Sequence, residues 1–402
     1  MISQRARQLA GNPSAIVRGH LACLENPYSL ENPKGFVNFG IAENHMMNDL
    51  LLPALSKSVL PNEEHIQYCD LRGLESTRNL MTNFFKEYLG IPHMDPEKLI
   101  INSGVSSLCE SLSFSLFDEG DQILIPAPYY TGFEHDFTKR FKCEFIPVQL
   151  DPQKNFRHEI TPFKEAFKAY RNIKGILLTH PHNPTGEILD ETFQDEIIAF
   201  SKEYDLHLIC DEIYALSQHN KVKHQSLYQR ARKAGANAHF LYGMAKDFCL
   251  AGFKLGFFYS DFEEVSQAVS ASSYFYPVAS ITQLHLENLI SDKNFLNSYL
   301  RSNSERLTSA RNHLLTELSE FSFIFDEAAM FMLLDLNYKC QDLEDEPKLF
   351  NMLMQKYGVN ITPGLEQGLN TPGYFRVCYA RDKSQRDEFI LRMKKAKEQG
   401  DL

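Results

Sequence analysis

Short, uninterrupted apolar runs alternate with amphipathic stretches through the middle of this chain. Runs at 98–102, 122–126, 143–150, 175–179, 206–210, 239–242 and 255–259 have the length of strands. Several lack any apolar–polar alternation, as in a sheet buried on both faces. Between them, apolar residues recur at helical spacing over 105–117, 190–204 and 226–234. The first of these helices has a local reason to begin, because Asn102-Ser103-Gly104 supplies a flexible, cap-forming turn. Alternating β and α elements predict an α/β domain with a mostly parallel central sheet between helices.

The pattern changes after about Ala279. A long helical stretch at 294–318 precedes strand-like runs at 321–325, 330–336 and 374–379, a helix near 349–357 and a terminal helix from Lys383. This predicts a smaller α+β domain over 286–402, a large domain over 51–285, and an N-terminal segment, 1–50, that packs with the small one. A ligand then belongs between the domains, beyond the carboxyl ends of the strands.

Composition narrows the class. With 43% hydrophobic and 23% charged residues the chain reads as an ordinary soluble protein. A net charge of -11 and the lack of a basic stripe argue against nucleic acid. The eight cysteines are scattered without a Cys-x-x-Cys pair, several inside apolar runs, as expected of free thiols in a reducing compartment. The first nineteen residues form no secretory signal and no stretch is long enough to span a membrane, so a cytoplasmic protein is expected.

Candidate chemistry gathers at the strand ends. Lys246 follows an apolar run and precedes a Gly-rich turn, with no helical face or charge run to belong to. A partly buried lysine amine loses its proton readily and forms Schiff bases, most often with pyridoxal phosphate (PLP). Read alone, a lysine is far more often a snorkelling surface residue, and only the rest of the chain reverses that. Asp211 ends the run 206–210 and needs a cationic partner, such as a protonated pyridine nitrogen, unless it caps a helix. Tyr214 and Asn183 offer donors for a phenolate oxygen, and Asn183 lies in the rigid turn His180-Pro181-His182-Asn183-Pro184-Thr185-Gly186. The helix start at Val105 and Ser106 can cradle a phosphate. Arg376, inside an apolar strand, calls for a planar anion or a structural partner. His180 and His182 have no carboxylate or cysteine at ligand spacing, so no metal is expected.

Asn183-Pro184-x-Gly186, Asp211-x-x-Tyr214 and Lys246 with a second cation, Lys254, eight residues later resemble the fold-type I, class I/II aminotransferases over most of the chain. Gly40-Ile41-Ala42-Glu43-Asn44, the run from Pro126 to Phe133, Lys246-Asp247 and the run from Gly373 to Ala380 are most similar to the 1-aminocyclopropane-1-carboxylate synthase-like subgroup. The resemblance implies PLP as cofactor, with Lys246 bonding to it and moving the Cα proton. Asp211 would then pair with the ring nitrogen, Asn183 and Tyr214 with the ring oxygen. Tyr130, with Tyr129 next in line, would cover the ring, and Val105, Ser106 and Lys254 would contact the cofactor. Arg376, Glu43 and Asn183 would meet the substrate. It also implies amino acid and 2-oxo acid substrates and a homodimer with active sites at the interface.

Several positions depart from the family pattern. Gly243 and Ala245 stand where serines are usual, Lys254 where arginine is, and Leu71 replaces a tyrosine that reaches the neighbouring subunit's cofactor phosphate. Each lost charge-assisted bond is worth roughly 1.5–3 kcal/mol, so weaker PLP binding is expected unless Arg72 or another group compensates. The loss at Leu71 ranks transamination ahead of a cyclopropane-forming lyase acting on S-adenosylmethionine. A non-catalytic protein of the same fold is the reading from another class. Tyr274-Phe275-Tyr276, near the expected mouth, favours aromatic or apolar substrates over dicarboxylates.

Overall fold

The apolar runs become strands because burial on both faces rewards them; each fully buried Leu, Ile or Phe contributes roughly 1.5–3 kcal/mol. The structure, a computed structural model, describes residues 2–11, 13–57, 59–219, 224–325 and 327–402. A short first strand, β1 (Val37–Asn38), is followed by seven that form the central sheet. These are β2 (Ile100–Ser103), β3 (Gln122–Ala127), β4 (Glu144–Gln149), β5 (Ile173–Thr179), β6 (His207–Asp211), β7 (Ala238–Gly243) and β8 (Leu255–Ser260). Their order is β2-β8-β7-β6-β5-β3-β4. Neighbours from β4 to β7 run parallel, whereas β8 is antiparallel to both β7 and β2.

The two faces of the sheet feed two apolar clusters. Ile176, Leu178, Leu208 and Cys210 point to one, with Phe84, Phe85 and Ile197 from helices Glu75–Tyr88 and Glu191–Glu203. Leu177, Ile209, Leu241 and Phe258 point to the other, beneath Leu108 and Leu112 of the helix Val105–Leu116. Strands filled on both sides explain the missing alternation.

A second sheet follows, built from β9 (Ser322–Ile324), β10 (Phe331–Asp335), β12 (Thr362–Pro363) and β13 (Tyr374–Cys378) in the order β12-β13-β10-β9, all antiparallel. The strand β11 (Val359–Asn360) pairs in parallel with β1. Phe39 stacks on Phe389 of the last helix with centroids 4.1 Å apart, and Val37 and Phe39 share a cluster with Met332, Leu334 and Val377. The 25-residue helix Lys293–Glu317 crosses between cores: Leu296 and Tyr299 pack on the first cluster, Leu307 and Leu314 on the second.

Local reading from sequence misses at some edges. The run expected to begin at Lys98 starts its strand at Ile100, because Asp95 caps a 3₁₀ turn over Pro96–Lys98. The helix expected near Leu349 begins at Asp345. Helices Glu75–Tyr88 and Ser280–Ser291 were not anticipated, the second because its apolar stripe is weak. Among the described residues, no helix is long and apolar enough to cross a membrane.

Candidate active site

Parallel register sets the site. Thr179 of β5 lies opposite Asp211 of β6, so the turn after one strand and the carboxylate ending the next share the same sheet edge. Lys246 follows β7 by three residues and joins them. A cavity of about 200 Å³ opens there, lined by Val105, Ser106, Tyr130, Asn183, Asp211, Tyr214, Lys246 and Lys254. Eight of the expected site residues therefore converge.

Asp211 is buried, and the turn that follows it does not continue into a helix, which removes the helix-cap alternative. Among the described residues its carboxylate takes one hydrogen bond, from the Ile213 N–H at 3.3 Å. Burial pushes it up to about 7, against the pull of the Lys246 charge. Burial and the Arg376 charge draw the Lys246 amine down to about 8. That amine is half-buried at the cavity and donates to the Ala42 carbonyl at 2.6 Å. It is not a snorkelling surface lysine.

The loop carrying Lys246 is anchored by the next residue. The buried Asp247 carboxylate accepts from the Leu216 N–H at 2.9 Å, the Ser217 hydroxyl at 2.6 Å and the Tyr242 hydroxyl at 2.9 Å. Sequence reasoning gave Asp247 no such duty. The turn holding Asn183 needs Gly186, whose φ is 75° and whose missing Cβ would lie 2.3 Å from the Ala328 carbonyl. Asn183 Oδ1 accepts from Arg376 at 3.0 Å, which turns its amide nitrogen toward the Tyr214 hydroxyl at 3.5 Å. Tyr130 packs edge-on to Phe133 and faces the cavity, while Tyr129 points away and donates to Glu134 at 2.8 Å.

Arg376 on β13 lies just behind Asn183. Its other hydrogen-bond partners are also neutral oxygens, Gly40 O at 2.7 Å and Thr362 Oγ1 at 3.2 Å, and its buried Nε has no partner among the described residues. Glu43 stands outside the cavity lining; its carboxylate binds His45 at 2.9 Å, which holds it down to about 2. Leu71 is exposed, and Arg72 is tied to Asp70 and Glu97 at 2.6 and 3.2 Å. Arg72 is thus held by carboxylates of its own chain. At Gly243 a side chain would meet Val105 Cγ2 at 2.7 Å, so the position is closed by packing and not merely short of a hydroxyl.

Two features escaped the sequence reading. Asp136 lines the cavity from a π-helical turn, Glu134–Thr138, whose spacing gives no periodic signal. No carboxylate was expected at ligand spacing from His180 and His182, and for His182 this does not hold. Glu187 lies five residues on, its carboxylate binds His158 Nδ1 at 2.7 Å, and ligand atoms of His158, His182 and Glu187 lie within 4.8 Å of one another. The turn at Gly186 folds Glu187 back, which linear spacing did not reveal.

Residues 34–393 match the family described as aminotransferase class I and II. The chain belongs to that family. Curated relatives include 1-aminocyclopropane-1-carboxylate synthase 3 of Solanum lycopersicum, 31% identical, with 96% of this chain and 88% of that protein aligned. Synthase 8 of Arabidopsis thaliana is also 31% identical, covering 92% of this chain and 85% of its own. Among solved structures, an aspartate aminotransferase from Thermus thermophilus with maleate superposes with a TM-score of 0.83 at 20% identity, over 98% of both chains. An aromatic aminotransferase from Pyrococcus horikoshii OT3 gives 0.79 at 20% identity, over 96% of this chain and 100% of that one.

The fold is therefore fold-type I, and the chain is a PLP-dependent enzyme of class I/II. The donor set agrees with that cofactor. A half-buried amine, a buried carboxylate short of partners, an amide and a phenol aimed together, and a helix start without a side-chain cap surround one cavity.

Proposed function

We propose that this protein is an aminotransferase that moves the amino group of an α-amino acid to a 2-oxo acid. The observation that carries it is the convergence of Lys246, Asp211, Asn183 and Tyr214 on one cavity, with the Arg376 guanidinium held by neutral atoms just behind. When bound there, PLP supplies the electron sink that makes a substrate Cα–H acidic. Lys246, with its amine drawn down to about 8, gives up and regains a proton near neutral pH. Asp211 holds the proton of the ring nitrogen and keeps that sink strong. Tyr214 and Asn183 donate to the ring oxygen, Tyr130 covers the ring, and Val105, Ser106 and Lys254 face the phosphate. Arg376 grips the substrate carboxylate in place of its present neutral partners, and Glu43 closes over the substrate from the segment beside Ala42.

The large unit runs over 51–285 and the small one over 286–402 with 1–50, the long helix joining them. Two copies pair, as the exposed Leu60, Ile66, Tyr68, Tyr274 and Phe275 suggest, each covering the other's site. The Ser103 N–H donates to the Tyr276 carbonyl at 2.9 Å, so the aromatic run borders the phosphate end; the lean toward aromatic or apolar substrates rests on its aromatic surface and lack of a cation. All eight cysteines are unpaired, which supports a cytoplasmic location.

A second reading, synthesis of a cyclopropane amino acid from S-adenosylmethionine, is favoured by what the curated relatives are called. Incubating PLP-loaded protein with an amino acid panel and with S-adenosylmethionine separates the two. Pyridoxamine phosphate plus a 2-oxo acid supports transamination. Methylthioadenosine plus the cyclopropane product overturns it in favour of the synthase, and inertness toward every amino acid favours a non-catalytic protein.

A further inference from the structure

The phosphate end of the cavity contains an acid. Asp136 lines it beside Gly104, Val105, Ser106 and Lys254, and its Oδ2 accepts the Ser106 hydroxyl at 3.1 Å. Among the described residues Asp136 makes no ion pair. The helix Val105–Leu116 turns Ser106, Cys109 and Glu110 toward it, the loop after β3 contributes Tyr130, and β6 contributes Asp211. Lys254 lines the same cavity from the turn before β8. Arg140, four residues on, is taken by Glu110. Burial pushes Asp136 up to about 7, with the Glu110 charge adding to it and the Ser106 hydrogen bond opposing it.

An ionised Asp136 harms phosphate binding twice. It repels the dianion directly, and it holds the Ser106 hydroxyl proton, leaving Ser106 to present lone pairs to the phosphate. Protonation reverses both effects. A neutral carboxyl donates its O–H, and Ser106 is released to donate its own.

We propose that Asp136 binds the phosphate of the cofactor as a neutral carboxylic acid, so that a phosphate monoester entering this site draws one proton from solution and binds more weakly as pH rises. The proposal rests on PLP being the cofactor. The balance is simple: carboxylate plus a solvent proton gives the carboxyl, and no covalent bond to phosphorus changes. The sign follows from linkage. The nearby dianion raises the Asp136 pKa further above about 7. Affinity is then flat in Asp136 below pH 7 and falls above it. The phosphate's own second ionisation, about 6, is complete in that range.

The test compares PLP with pyridoxal, which lacks the phosphate, on apo wild type and on Asp136→Asn between pH 7 and 9. For PLP, wild type loses affinity relative to Asp136→Asn by roughly tenfold per pH unit, whereas for pyridoxal the ratio of the two affinities changes far less with pH, moved only by the weaker action of the Asp136 charge on Asp211. Taking the ratio to the variant cancels the titration of Lys246. Calorimetry of wild type in buffers of different ionisation enthalpy counts the protons independently of any variant. Near pH 8 it should show greater proton uptake with PLP than with pyridoxal. Equal pH profiles for wild type and variant, or equal proton uptake for the two ligands, overturn the proposal while leaving the cofactor assignment intact. Failure of PLP to bind at any pH, with no visible band depending on Lys246, overturns both.

Discussion

At one end of the cavity Lys246, Asp211, Asn183 and Tyr214 stand on or just beyond strand ends held in register by the sheet. At the other, Ser106, Asp136 and Lys254 hang from a helix start and two turns. The first end has complementary charge: an amine and a buried carboxylate that temper each other across the space a ring would fill. The second sets one lysine, Lys254, against an acid, and Ala245 lines it without a hydroxyl. Chemistry at the reacting atoms tolerates little displacement, whereas cofactor retention can be shared among many contacts.

Substitutions at the two ends should separate accordingly. Lys246→Ala has the largest effect: the visible band of lysine-bound cofactor disappears and turnover falls by more than about a thousandfold, measured by absorbance and steady-state kinetics. Asp211→Ala lowers kcat by roughly a hundred- to a thousandfold, while PLP affinity changes far less. Persistence of high kcat would break the contrast, because a carboxylate short of partners would then have no catalytic duty. Arg376→Lys keeps the charge but loses the fork; KM for the amino acid rises roughly ten- to a hundredfold from one lost charge-assisted bond.

At the phosphate end the effects are smaller and fall on binding or stability. Gly243→Ser, the change that restores a usual family residue, should destabilise by roughly 1–3 kcal/mol through overpacking on Val105, seen as a lowered denaturant midpoint. Tighter PLP binding with unchanged stability would contradict the packing seen at Gly243. Arg72→Ala should leave PLP affinity within about twofold and cost no more than about 1 kcal/mol of stability, as expected for partly exposed ion pairs.

The contrast also marks what sequence could show. Lys246, Asp211, Asn183 and Tyr214 were legible because a polar group ending a buried apolar strand has few reasons to be there. The same logic located every strand of the central sheet to within a few residues. It could not show that β8 runs antiparallel, since an apolar run has no direction. Asp136 and the His158–His182–Glu187 contact were invisible for a different reason: both arise where the chain doubles back, at a π-helical turn and at Gly186. Asp247 was quoted in the resemblance, yet two of its three hydrogen bonds depend on a turn some thirty residues earlier. Leu71 and Arg72 read as a site question in sequence, while the fold places Arg72 between Asp70 and Glu97.

The most direct test of amino-group transfer uses a nitrogen-labelled aromatic amino acid with a second, chemically different 2-oxo acid and PLP-loaded protein. Label appearing in the amino acid formed from that acceptor, at a rate that collapses in Lys246→Ala, is the predicted result. Consumption of the donor with all label released as ammonia, or no label transfer to any acceptor, would contradict it.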